Sequence, residues 1–213
     1  MTRLEDLATS AGRRFARFVT VVVTRLPILW PVFRGPLRLQ FESLASKWDT
    51  LAPEDRLAPY EAALDSVSAP RRALDLGTGT GVGAFAIARR FPDAEVIGVD
   101  LSPAMLDEAR RKTPLELERR IRFEVGDAAR LRYDDGAFDL IGLANMIPFY
   151  DELARVTAPG GSVVLSFSRG HETPIYVPLE RIRQELSSRG FTEFADFAAG
   201  HGTSLLARKR IEA

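Results

Sequence analysis

The chain has 213 residues, 46% apolar and 27% charged, with 29 basic against 29 acidic side chains; this is ordinary for one globular domain with an appendage. The balanced charge supplies no overall field to recruit nucleic acid, and the absence of cysteine excludes disulfides, thiolate zinc sites and a cysteine nucleophile. No uncharged apolar run reaches the ~18 residues of a membrane span, and Glu5, Asp6, Arg17 and Arg25 spoil a secretory layout, so a cytoplasmic protein with no metal site is expected.

Charge is nonetheless uneven. Residues 1–40 carry seven arginines against Glu5 and Asp6, a basic head of net +5 on a body of −5. Within it Phe15, Phe18, Val19, Val22 and Leu26 recur at helical spacing. Pro27 and Pro31 break the pattern, which makes "PILWPVFRGP" an irregular apolar link, and a second helix starts near Pro36 with Leu37, Phe41, Leu44, Ala45 and Trp48 on one side. Three uses of the first stripe stand open: docking on the body, a homodimer contact, or peripheral contact with an anionic membrane through residues 10–38. The flanking arginines, Trp30 and Phe33 suit the last.

From residue 70 strands and helices alternate. Strands are expected at Arg72–Leu76, Glu95–Asp100, Ile121–Val125, Phe138–Ala144 and Ser162–Ser168, with helices at Val82–Phe91, Ser102–Lys112 and about Pro148–Val156. Short apolar strands spaced by helices imply parallel βαβ units covered on both faces. Ser102 before Pro103 is an N-cap with proline at the first helical position, and Pro159-Gly160-Gly161 is expected to end the helix before the fifth strand. After a helix at Leu179–Arg189, strands at Phe194–Ala198 and Thr203–Arg208 lie too close for a crossover and form an antiparallel hairpin at the sheet edge. The division is residues 1–69, a helical lid or appendage, and 70–213, a doubly wound α/β domain of seven strands.

"DLGTGTG", residues 75–81, stands where the first strand hands over to a helix N-terminus, the usual ligand crevice of an open α/β sheet. Its glycines allow a sharp turn and close ligand approach. The dinucleotide pattern can be laid on Gly79, Gly81 and Ala84, but it requires neither Gly77 nor Asp75. A buried acid there favours a ligand bearing a cationic amino group, although an NAD-dependent oxidoreductase stays open as an alternative.

Asp-x-Gly-x-Gly-x-Gly resembles the first motif of class I S-adenosylmethionine-dependent methyltransferases. "EVIGVDLSPAMLDEAR" is similar to that family's second strand, "RFEVGDAARLRYDDGAFDLI" to its third strand and following loop, and "DELARVTAPGGSVVLSFS" to its fourth helix and fifth strand. "FESLASKWDT" resembles the first helix of the ubiquinone-biosynthesis-like members, and the likeness runs over about residues 41–209. It implies a Rossmann-like sheet of strand order 3-2-1-4-5-7-6 with the last strand antiparallel, and S-adenosylmethionine as cofactor. The site it implies comprises Asp75, Gly77, Thr78, Gly79, Gly81, Asp100 on the ribose, Leu101, Met105, Asp127 on the adenine amino group, Ala128 on its ring, and Asn145. It further implies methyl transfer to a small-molecule acceptor; a non-catalytic S-adenosylmethionine-binding protein is the alternative.

The segment from Asn145 to Pro159 is shorter than that family's pattern, and no long insertion follows the fifth strand. Cover for the acceptor must therefore come largely from the N-terminal 60 residues. Asn145, at the fourth strand's end, stands near a transferred methyl or caps the next helix; His171 is a general base or a solvated loop residue. Tyr150 completes the catalytic candidates, and Tyr176 is a further acceptor-pocket residue. In-line methyl transfer from a sulfonium needs little acid–base help.

Overall fold

The computed structural model describes residues 3–51 and 54–211; the side chains of Arg3, Glu5 and Asp6, part of the basic head, lie outside what is described. Strands β1 (Arg72–Leu76), β2 (Glu95–Asp100), β3 (Ile121–Val125), β4 (Phe138–Ala144), β5 (Thr157–Phe167), β6 (Phe191–Ala199) and β7 (Gly202–Lys209) form one sheet. Its order is β3-β2-β1-β4-β5-β7-β6, as the family resemblance implies. Strands β1 to β5 pair in parallel, while β7 runs antiparallel to both β5 and β6. Strand order reverses between β1 and β2 on one side and β4 on the other, and ligands gather at such a point.

The first four strands begin and end where the sequence sets them; β1, β2 and β4 are mostly apolar, while β3 at the sheet edge carries Arg122 and Glu124 and buries only Ile121. Alternate side chains feed two cores. Leu74, Leu76, Ile97, Val99 and Leu143 pack on one face; Ala73, Val96, Leu140, Val164 and Leu206 pack on the other. Helices α4 (Ala58–Leu64), α5 (Val82–Arg90), α6 (Pro103–Lys112), α7 (Tyr150–Val156) and α8 (Leu179–Ser187) flank the sheet. Ser102 caps α6 by accepting the Met105 amide at 3.3 Å. Pro159-Gly160-Gly161 does not follow a helix end as expected. Helix α7 stops at Val156 and the triplet lies inside β5, where the register against β4 shifts between Phe138 and Leu140.

The remaining helices, α1 (Arg3–Arg25), α2 (Trp30–Leu44) and α3 (Trp48–Leu51), roof the strand ends. The expected irregular link is helical from Trp30: Pro31 falls in the first turn, where no N–H is needed, and Pro36 lies within the helix. The buried face of α1 also differs from the expected stripe. Ala16, Val19, Thr20, Val23 and Thr24 face inward, whereas Phe18 and Leu26 are exposed. Thr20 and Thr24 can turn inward because their hydroxyls donate to the carbonyls of Ala16 (2.8 Å) and Thr20 (2.7 Å). The basic residues then clamp the helix. Arg17 donates to the His171 and Thr173 carbonyls at 3.0 and 3.1 Å, and Arg181 reaches the Thr24 carbonyl at 2.8 Å.

Candidate functional site

A cavity of about 140 Å³ lies between the strand ends and the roof. Its floor is the turn after β1, where Gly77, Gly79 and Gly81 have φ of 71°, 53° and 87°. This left-handed backbone is one that side chains rarely adopt. A Cβ on Gly79 would meet nothing nearer than the Trp48 indole nitrogen at 4.0 Å, so that position opens to the cavity. Gly81 is the N-cap of α5, beneath the loop.

Two acids hold this turn. Asp75 is buried at the end of β1 and accepts the Thr78 hydroxyl at 2.6 Å. Gly83 lets α5 press against it: a Cβ there would stand 2.5 Å from Oδ1, and the Ala84 amide donates to the same carboxylate. Burial pushes the Asp75 carboxyl up to about 6 against the Thr78 and Ala84 bonds, and the charge of Asp100 pushes the same way. Asp100, at the end of β2, accepts the Gly79 amide through Oδ2 at 2.9 Å and the Ser102 amide through Oδ1 at 2.8 Å. Burial raises its pKa too, against those amides.

Asp75, Gly77, Thr78, Gly79, Asp100, Leu101, Met105, Ala128 and Asn145, all anticipated from the sequence, line the cavity together. Asn145 has φ 54° and does not cap α7; its Oδ1 accepts the Ser168 amide at 2.9 Å, tying the ends of β4 and β5, and its amino group has two donors to offer. Five expected residues lie outside the lining of this cavity. Gly81 shapes the loop from below without lining the cavity. Asp127 turns toward the roof, where Oδ1 accepts Trp30 Nε1 at 2.8 Å and Oδ2 meets Arg34 at 3.2 Å. Tyr150 points toward α8, its ring under the Arg189 guanidinium and its buried hydroxyl unpartnered. His171 is exposed in the turn under α1, offering only its carbonyl to Arg17. Tyr176 packs edge-on against Phe167 at 5.1 Å rather than lining the cavity.

The roof supplies Trp30, Leu37, Phe41, Trp48 and Arg56, and Ile175 joins them from the loop after β5. Asp49 fastens this roof to the body. It accepts Arg56 and the Thr80 hydroxyl on Oδ1 at 3.1 and 2.7 Å, and Lys112 on Oδ2 at 2.8 Å. Burial alone would raise its pKa, but the hydrogen bonds and charges of Lys112, Thr80 and Arg56 hold it below the usual carboxylate value. Tyr60 on α4 is fully buried, its hydroxyl 3.5 Å from Asp75 and pressed on Gly142 of β4, where a Cβ would overlap it.

Parallel strands in this order, a glycine turn at the reversal and acids at the ends of β1 and β2 define a small-ligand site of the nucleotide-binding kind. Residues 73–161 match a family model described as a methyltransferase domain. The demethylmenaquinone methyltransferase of Deinococcus radiodurans is 40% identical over 138 residues, 59% of this chain and 57% of the relative. The malonyl-[acyl-carrier protein] O-methyltransferase of Halorhodospira halophila is 37% identical over 62% of this chain and 48% of the relative. The chain thus spans about half the length of the curated relatives it matches. A solved S-adenosylmethionine-dependent methyltransferase from Aquifex aeolicus shares the fold, with TM-score 0.65 at 17% identity over 78% of this chain and 98% of that one. Residues 73–161 therefore resemble a methyltransferase domain, and the sheet around them has the fold of that solved S-adenosylmethionine-dependent methyltransferase.

Proposed function

We propose that this protein binds S-adenosylmethionine and transfers its methyl group, in line, to a small lipophilic acceptor. The observation that carries the reading is the loop at 77–81, left-handed at three glycines and held by Asp75 and Asp100. Its open face at Gly79 fits an amino-acid tail, Asp100 fits a ribose, and Leu101, Met105 and Ala128 fit a flat apolar ring. The bound sulfonium supplies an electrophilic methyl. The chain's task is then to hold the acceptor near Asn145 and to exclude water with Trp30, Phe41 and Trp48, since alignment supplies most of the advantage. With His171 and Tyr150 outside the cavity, a side-chain base is no part of this reading.

Small-molecule sites usually measure about 300–1,000 Å³, and the cavity here is about 140 Å³; in this reading the roof lifts when the ligand loads. Residues 1–69 act in this reading as lid over 70–213, with α1 to α3 covering and α4 anchoring. The outer surface of the lid supports the lipophilic choice. Ile28 and Val32 are 84% and 65% exposed, Phe18, Val21 and Leu26 are exposed as well, and Arg25 ends α1 just before Ile28. This tip suits an anionic bilayer, from which an acceptor would reach the apolar inner face of α2. The demethylmenaquinone methyltransferase relative agrees with such an acceptor.

The test is transfer of labelled methyl from S-adenosylmethionine to a prenylated demethylnaphthoquinone offered in vesicles containing phosphatidylglycerol. Label should enter the quinone, the protein should sediment with the vesicles at low salt, and Ile28→Ser with Val32→Ser should lose sedimentation. Transfer only to a water-soluble acceptor such as a small carboxylic acid, with protein left in the supernatant, would overturn the lipophilic part.

A further inference from the structure

A second cavity, of about 630 Å³, opens on the outer side of the wall that closes the first. Val99, Leu101 and Gly126 line both. Asp127 faces the outer one: its Oδ1 takes Trp30 of the inner cavity and its Oδ2 takes Arg34 of the outer.

Three guanidinium groups line this outer space, Arg34 from the roof and Arg130 and Arg132 from the loop after β3. Arg34 donates to Asp127 through Nη1 at 3.2 Å, which leaves its other donors free to turn elsewhere. Arg130 and Arg132 are exposed, and among the described residues neither pairs with a carboxylate. Two acids share the cavity and both are engaged: Asp127 as above, and Glu124 by the Tyr133 hydroxyl at 2.9 Å. Three cations against two anions leave one positive charge in excess. The space therefore suits a monoanion whose further end carries hydrogen-bond donors for the acids. Guanidinium forks match phosphate oxygens best, and a phosphodiester can meet more than one of them.

Helix α2 points to the source of that phosphodiester. Trp30, Leu37 and Phe41 line the inner cavity, while Val32 and Leu39 are exposed on the opposite side. Phe33 packs on Phe18 of α1 and marks one flank; Arg34 and Arg38, one turn apart, mark the other. A helix lying in a membrane interface has this layout, with an apolar crest in the acyl boundary and a basic flank at the depth of the phosphates. The outer cavity adjoins that flank through Arg34.

We propose that the outer cavity binds the phosphodiester headgroup of an anionic membrane phospholipid, held between Arg34 of the roof and Arg130 and Arg132 of the body. One lipid then touches both regions and fixes how the protein sits on the bilayer. This inference rests on the lipid-facing lid proposed above and adds to it a headgroup site that the apolar crest does not need.

Co-sedimentation of the full chain with phosphatidylcholine vesicles tests it, the vesicles being made equally anionic with either phosphatidylglycerol or oleate. The wild type should bind the phosphatidylglycerol vesicles several-fold better, and Arg130→Gln with Arg132→Gln should lose that preference. The same pair should lower partitioning to phosphatidylglycerol by about tenfold or more, the worth of two basic contacts at an anionic surface. Arg89→Gln with Arg119→Gln, equal in charge and outside this cavity, should stay within about twofold of wild type. No preference in the wild type, or a cavity pair that behaves like the control pair, overturns the headgroup site and leaves the lipid-facing lid standing. Displacement of the wild type from vesicles by glycerol 3-phosphate at equal phosphate concentration would make the ligand a soluble phosphate and overturn the lipid. If the wild type sediments with neither vesicle, the lipid-facing reading itself fails, and this inference with it.

Discussion

The body and the roof are built on different terms. In the body, β1, β2 and β4 bury apolar side chains on both faces of the sheet. The roof turns one apolar face inward and hangs from point contacts: Arg17 on two carbonyls, Trp30 and Arg34 on Asp127, Asp49 on Thr80 and Lys112. Single hydrogen bonds contribute about 1 kcal/mol net, whereas a buried apolar side chain contributes about 1.5–3 kcal/mol. In the lid reading proposed above, the roof is the part expected to open while the sheet stays folded.

The largest effect expected in the body concerns Asp75. Its folded pKa of about 6 lies above the ordinary 3.8, so the folded state holds the proton more tightly than the unfolded chain. Stability should fall as pH rises from about 4 to 6 and then level off, a total of about 3 kcal/mol from that one group. Denaturant titrations of Asp75→Asn should lack this slope. Equal slopes in variant and wild type would remove the buried charge from the account.

Asp100 sharpens the comparison on the ligand side. Asp100→Ala leaves the ribose hydroxyls and the Gly79 amide unpaired, and should weaken S-adenosylhomocysteine by about 2 kcal/mol or more in calorimetry. Unchanged affinity would move the ribose elsewhere. Gly142→Ala attacks the joint between sheet and α4. The added methyl overlaps the fully buried Tyr60 hydroxyl, so global stability should drop by about 1–3 kcal/mol by chemical denaturation.

These contrasts explain what the sequence revealed. The strands Arg72–Leu76 and Glu95–Asp100 were readable because a short apolar run closed by aspartate or glycine has one low-energy use in a covered sheet. The glycine turn and Asp100 were readable because a strand end fixes where their backbone and side chain point. The face of α1 was not. Its spacing offers several stripes, and the surface it lands on selected Val19 and Val23 with two self-satisfied threonines over Phe18 and Leu26. Asp127 was assigned from its motif, yet its direction depends on Trp30, 97 residues away. Arg56 and Tyr60 lie outside every motif, so no local pattern marks them; the acidic Trp-Asp pair at 48–49 was the nearest signal.

The smallest effect belongs to the roof. Trp30→Phe keeps the ring against Phe149 but removes the donor to Asp127. It should leave the global transition in place and lower the local opening free energy of α2 by about 1 kcal/mol, read as faster amide exchange there. A loss of global stability instead would make the roof part of the same cooperative unit as the sheet.

One measurement joins both regions: hydrogen–deuterium exchange of the full chain with and without S-adenosylhomocysteine. A site shared by body and lid should slow exchange at the 77–83 turn and, together with it, along Trp30–Leu44 and the 48–57 segment. Protection confined to the turn, with the roof unchanged, would contradict a lid that takes part in binding, and no protection at the turn would contradict the site itself.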